Sequence, residues 1–272
     1  MSSTNFLTSD GVRLHVLEAG PERAVTHSTP VIAFIPGWSM PASIWRGQLD
    51  ALGAHYRVAA LDPRGQGESE IPPAGYTIAR RAADIREFVA RYPRVVLVAW
   101  SLGALEALES VCLYGDSGLA GLVLVDSSVG EDPAPASGGG FIDALTRDRR
   151  AAVSDFVHGM FRSPRTDAEL AALTESALQM PLDDSISLFP RIVPRQHWRA
   201  IARGFTKPLL YVVTPQFAEQ ARNLQRNRPG TQVAVFAEAG HALFVDEPDR
   251  FNRLIAGTVD AVIAVPRIPD RP

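Results

Sequence analysis

Six short apolar runs punctuate this chain, and none of them alternates with polar residues: VIAFI before Pro36-Gly37, YRVAALD, RVVLVAW, GLVLVD, PLLYVV and TQVAVF. A strand with one wet face alternates, so unbroken runs rich in β-branched residues predict strands buried on both faces. Buried strands require covering helices, and a helical pattern lies between them. In TIARRAADIREFVARY the apolar Ile78, Ala82, Ile85, Val89 and Tyr92 recur at helical spacing. Arg80, Arg81, Asp84, Arg86, Glu87 and Arg91 supply what reads as a solvated face. Ahead of the first run, NFLTSDGVRLHVLEAG reads as two extended segments joined at Ser9-Asp10-Gly11, an antiparallel hairpin. The alternation of strand and helix predicts an α/β fold with a mainly parallel central sheet and helices on both faces.

The rhythm fails between Asp126 and Lys207. VGEDPAPASGGG, dense in Gly, Pro and Ser, reads as a flexible connection. After it only helical patterns appear, around Phe141–Phe161, Asp167–Met180 and Asp183–Ile192. A helical insertion at this point would form a lid over the strand ends, where ligands bind in open α/β sheets. The expected division is a core of residues 1–130 and 207–272 and a helical cap of residues 131–206. A length of 272 residues suits one such domain with an insertion.

Composition narrows the partners. A net charge of −3 provides no field that would draw the protein to nucleic acid or an anionic membrane. No apolar run approaches the ~20 residues that span a bilayer, and MSSTNFLTSDG lacks the basic and apolar regions of a secretory signal. The expectation is a cytoplasmic protein acting on a small molecule, with no nucleic-acid and no membrane partner. The lone Cys112 excludes an intramolecular disulfide and a multi-cysteine metal site. Its position within a helical apolar pattern predicts a packed core thiol. The histidines and acids show no His-Glu-x-x-His spacing, and DPRGQGES lacks the Gly-Lys-Ser/Thr ending of a phosphate-binding loop, with Arg64 expected to bond locally. No metal is expected.

The candidate chemistry centres on VAWSLGALEAL, where Ser101 falls at a strand-to-helix boundary with Ala99 two residues before it and Gly103 two after. An abrupt turn from strand into helix needs small neighbours at those positions. It projects the hydroxyl from the sheet edge and aims the next backbone N–H at the place where an oxyanion would form. The plainer reading of Ser101 is a helix N-cap. A serine nucleophile needs a base, generally a histidine held by a carboxylate. Among six histidines, His15 lies in the hairpin, His27 in a loop, His55 at a helix end, and His158 and His197 in the insertion. His241, in the loop VFAEAGHALFVDEPDRF after the last strand, falls at the same sheet edge as Ser101.

Four segments in order, FIPGW, LDPRGQGES, AWSLG and AGHALFVDEP, resemble the signatures of the α/β-hydrolases. The chain is similar to compact microbial carboxylesterases and cofactor-free haloperoxidase-like members. The resemblance implies an α/β-hydrolase fold with a helical lid and no cofactor. Ser101 would be the nucleophile, His241 the general base, and the backbone N–H groups of Trp38 and Leu102 the oxyanion hole. Trp38 and Trp100 are further candidates for lining the substrate pocket.

Three departures from the family pattern stand out. Ala99 replaces the first glycine of the elbow, and Pro36 replaces the histidine before Gly37. After PLLYVV, where the family carries its catalytic aspartate, this chain has TPQFAEQ. Asp126, at the end of GLVLVD, is the replacement acid that some members of the family use. Glu219, or no direct acid at all, are the alternatives. Asp246 and Glu247, ahead of Pro248, read as acids favouring a helix start. The implied activity is a serine hydrolase cleaving carboxylic esters of small to medium, uncharged substrates through an acyl-enzyme. The same triad serves perhydrolysis, lactone opening and C–C bond hydrolysis, and the missing acid leaves open a catalytically idle ligand-binding homologue.

Overall fold

The computed structural model describes residues 1–21, 29–135 and 140–264. His27 and residues 136–139 of the Gly-Pro-Ser-rich connection lie outside the described residues. All six apolar runs are strands: β3 (Val31–Ile35), β4 (Val58–Leu61), β5 (Val95–Trp100), β6 (Leu119–Val125), β7 (Leu209–Val213) and β8 (Gln232–Val235). The hairpin forms β1 (Ser2–Leu7) and β2 (Arg13–Ala19). The eight strands make one sheet in the order β1-β2-β4-β3-β5-β6-β7-β8. β1 and β2 run antiparallel to their neighbours, and the remaining pairings are parallel.

From β3 to β7 both faces of the sheet are apolar, which is why those runs do not alternate; the edge strand β8 is only partly buried, contrary to expectation, because it has a neighbour on one side alone. Ile32, Phe34, Val96 and Val98 face one core with α1 (Arg46–Gly53) and α11 (Pro248–Ala264). Ala33, Ile35, Leu97 and Ala99 face the other with α2 (Ile78–Val89), α3 (Leu102–Tyr114) and α9 (Ala218–Asn227). The protein is thus an α/β-hydrolase fold, and its parallel crossovers carry the strand ends to one edge. Among the described residues no helix is long and apolar enough to cross a membrane.

Three expectations about side chains need correction. Arg81 and Asp84 are not part of a solvated face; both are buried. Asp84 binds Arg64 through two hydrogen bonds of 2.6 and 2.7 Å, while Arg81 Nε lies 3.2 Å from the buried Glu106. Arg64 does not bond locally, because it joins α2 to Asp10 of the hairpin at 2.9 Å. Helical periodicity cannot distinguish a solvated charge from one buried against a fixed partner. The third correction is Cys112, which is exposed in the last turn of α3 beside exposed Leu113 and Tyr114.

Between β6 and β7 the chain forms α4 (Phe141–Arg147), α5 (Arg149–Gly159), α6 (Asp167–Ala177), α7 (Leu182–Ser187) and α8 (Arg195–Gly204). The single pattern over Phe141–Phe161 is in fact two helices. Asp148 breaks it by accepting the Ala151 N–H at 3.1 Å and capping α5. α8 lies beyond the last expected helical pattern, with Pro194 at its N-cap, and buries Trp198 and Ala202 in the core that contains α3. Short α10 (Leu243–Asp246) precedes α11.

Candidate active site

Ser101 stands between β5 and α3 with φ 56° and ψ −123°. A residue bearing a Cβ reaches that region only under strain, on the order of 1–3 kcal/mol, when its surroundings enforce it. They do so here. Ser101 N–H donates to Val125 O at 2.9 Å, and its carbonyl accepts from Ala104 N–H at 3.0 Å. A Cβ on Gly103 would lie 2.4 Å from the Pro36 carbonyl oxygen and 2.9 Å from Ile35, so glycine alone lets α3 start so close to the tip of β3. The hydroxyl forms no cap to α3, which removes the N-cap reading.

The hydroxyl meets His241 instead. His241 Nε2 lies 3.0 Å from Ser101 Oγ, and Nδ1 lies 2.8 Å from Asp126 Oδ2. A proton on Nδ1, donated to the carboxylate, leaves Nε2 as the acceptor for the serine O–H. Asp126 is buried and itself has positive φ, 43°. Its Oδ1 accepts the Thr214 N–H at 2.7 Å and the Thr214 hydroxyl at 2.8 Å. Thr214 begins TPQFAEQ, the place where the family carries an aspartate. Here the position supplies donors that orient an acid from the neighbouring strand. Glu219 lies exposed in the first turn of α9, without a hydrogen bond to His241.

The histidine loop is fastened from below and from the side. Trp100 donates its indole N–H to the His241 carbonyl at 2.9 Å. Trp100 is fully buried, edge-on to Trp45 and Phe244, so it supports the loop and does not line a pocket as expected. Ala242 N–H donates to Met160 O at 2.9 Å. Asp246 ends α10 rather than starting a helix, and its carboxylate accepts Gly240 N–H at 2.7 Å, Ser163 N–H at 2.8 Å and the Ser163 hydroxyl at 2.6 Å. Burial raises its pKa, but these bonds and that from Arg162 more than offset the effect and hold the carboxyl below its ordinary value. The sequence carried no local signal for this role, since Ser163 comes from the segment between α5 and α6.

Trp38 follows Gly37 at the tip of β3, and Leu102 opens α3. Among the described residues neither amide N–H has a backbone acceptor. The Trp38 indole is buried, donates to Ser185 O at 2.7 Å, and is enclosed by Phe189, Phe141 and Phe156 at ring-centroid separations of 5.4, 5.4 and 5.5 Å. A cleft of about 580 Å³ opens beside His241 and Asp126, lined also by Phe156, Met160, Thr214 and Gln216.

A second Ser-His-Asp chain provides an internal contrast. Ser3 Oγ lies 2.6 Å from His15 Nε2, and His15 Nδ1 lies 2.7 Å from Asp62 Oδ2. The Asp62 hydrogen bond, opposed by burial, raises the His15 pKa. Ser3, however, sits in edge strand β1 paired with Leu17 and is not among the positive-φ residues, unlike Ser101. The three side chains are duplicated; the positive-φ backbone that holds Ser101 is not.

With this geometry in view, residues 32–254, over four-fifths of the chain, match the model of the alpha/beta hydrolase family. The chain belongs to that family. It is 26% identical over 267 residues to a pimeloyl-[acyl-carrier protein] methyl ester esterase from Vibrio atlanticus, an alignment covering 89% of this chain and 96% of that protein. Among solved structures, an esterase from Exiguobacterium antarcticum superposes with a TM-score of 0.81 at 21% identity, covering 94% of this chain and 99% of that one. The enol-lactonase from Burkholderia xenovorans superposes with a TM-score of 0.78 at 19% identity, covering 94% and 100%. These two likenesses establish the shared fold of this alpha/beta hydrolase.

Proposed function

We propose that this alpha/beta hydrolase is a serine esterase that cleaves carboxylic esters of small to medium, uncharged substrates through an acyl-enzyme. The observation that carries the reading is the continuous hydrogen-bonded chain from Ser101 through His241 to Asp126, starting at a residue held in strained geometry. His241 Nε2 takes the Ser101 proton as Oγ attacks the ester carbonyl. The Leu102 and Trp38 N–H groups receive the developing negative charge. Collapse expels the alcohol, which leaves with the proton from His241. A water, deprotonated by His241, then attacks the acyl group and returns Ser101 with its proton. Asp126 keeps Nδ1 protonated and stabilises the imidazolium without accepting the proton.

Residues 131–206 act as a cap over a core of residues 1–130 and 207–272. The enclosure of Trp38 by Phe141, Phe156 and Phe189 supports an apolar roof over the acyl site. The names of relatives, a methyl ester esterase and an esterase, point the same way. The idle-homologue reading drew its force from the missing acid after β7; the 2.8 Å Asp126–His241 contact supports an acid from β6 instead.

A fluorophosphonate probe tests the assignment. The wild-type protein is expected to be labelled at one serine, Ser101, with parallel loss of turnover of a short-chain nitrophenyl ester. Ser101→Ala should abolish both. A folded wild-type protein that resists the probe, or labelling that persists at Ser3 in the variant, would sink the proposal.

A further inference from the structure

At the far end of α3, outside the triad, three side chains of different chemistry converge. Glu109 and Cys112 are three residues apart on α3 and so share a helix face. His197 of α8 packs against them, its Nε2 2.6 Å from Glu109 Oε2. One carboxylate oxygen, the thiol sulfur and one imidazole nitrogen all lie within 4.8 Å of one another. We propose that Glu109, Cys112 and His197 bind a thiophilic divalent cation of the zinc type, which clamps α8 to α3.

The donor set is the argument. Thiolate, imidazole and carboxylate are the three side-chain ligands that zinc takes, at about 2.3, 2.0–2.1 and 2.0–2.2 Å, in tetrahedral geometry. Those bond lengths put neighbouring ligand atoms about 3.5 Å apart. The observed spacing brackets this value, so small side-chain rotations suffice once the ion replaces the His197–Glu109 hydrogen bond. All three residues stand on helices, which hold their positions better than loops would. Cys112 is exposed and the other two are half-buried, leaving room for water as a fourth ligand. Charge balances as well: Cys112 loses its thiol proton to solvent as the metal–sulfur bond forms, His197 stays neutral by carrying its ring proton on Nδ1 in place of the Nε2 that now binds the metal, and thiolate and carboxylate together neutralise the dication. Sequence spacing could not reveal the site, because its third ligand belongs to a different helix.

The eleven residues from Ser101 to Cys112 along α3 correspond to about 16 Å at the helical rise of 1.5 Å per residue. Metal binding here is therefore separable from the triad. The test uses tag-free full-length protein and Co²⁺ as a spectroscopic probe. One equivalent should produce a near-ultraviolet thiolate-to-cobalt charge-transfer band that Zn²⁺ displaces. Cys112→Ser should abolish the band, and both Cys112→Ser and His197→Gln should weaken Zn²⁺ binding by about tenfold or more. Ser101→Ala should leave the band intact. Absence of the band at saturating Co²⁺ overturns the proposal. So does a Zn²⁺ affinity unchanged in either ligand variant whose circular dichroism matches the wild type.

Discussion

Asp126 does two jobs with one carboxylate: Oδ2 faces His241 while Oδ1 takes both donors of Thr214. An amide cannot do both, since one of its two ends donates. Asp126→Asn should therefore leave the fold intact yet present the wrong partner to His241 Nδ1. The serine-protease template gives a loss of about 10⁴ in kcat for this substitution. Steady-state kinetics on a model ester, with circular dichroism as the folding control, would check it; a loss below tenfold would move the acid elsewhere. Ser101 and His241 were legible because each lies in a short contiguous signature. Asp126 was legible only as a strand-tip position. Thr214 was not, because a threonine acquires this role only from what lies across from it in the sheet. Trp100 was misread for a related reason: adjacency to Ser101 in sequence says nothing about which way an indole turns in a strand that alternates faces.

At the level of elements, the His241 loop depends on Asp246, which ties α10 to the segment between α5 and α6. Asp246→Ala would strand several backbone N–H groups, each costing about 1–3 kcal/mol where water cannot replace the carboxylate. The expected outcome is a lower Tm and a reduced kcat, with Ser101 still present but slower to react with the fluorophosphonate. An unchanged Tm and kcat would mean that the loop is held by Trp100 and Met160 alone. Since the folded pKa of Asp246 lies below its ordinary 3.8, its contribution is complete above that pH and fades as the solution is acidified below it. Strands β3 to β7 were read from their apolar runs because burial on both faces leaves a plain trace, whereas β8 carries such a run although it is only partly buried. The break at Asp148 and the existence of α8 were not, since a capping aspartate and a proline-led helix look like irregular chain until tertiary contacts select them.

For the molecule as a whole, the pH dependence of stability carries the mark of the buried pair on α2 and α3. Burial pushes Glu106 up to about 7, against the pull of Arg81 and with a further push from Asp84. The folded protein then binds more protons at this site than the unfolded chain does between the ordinary value of 4.5 and about 7, so this group costs stability progressively as pH rises through that window. In Glu106→Gln the cost is absent, and Arg81 still has Gln66 Oε1 at 2.9 Å. Urea unfolding at pH 5 and pH 8 should show the variant gaining on the wild type at the higher pH; a constant gap would refute the assignment. The proposed acid on β6 bears on the molecule as a whole. If Asp126 handles the charge on His241, the exposed Pro215 and Gln216 beyond β7 border the cleft without any duty in proton transfer. Substitutions at Pro215 and Gln216 should then reshape the cleft wall while leaving the Asp126–His241 contact of 2.8 Å in place.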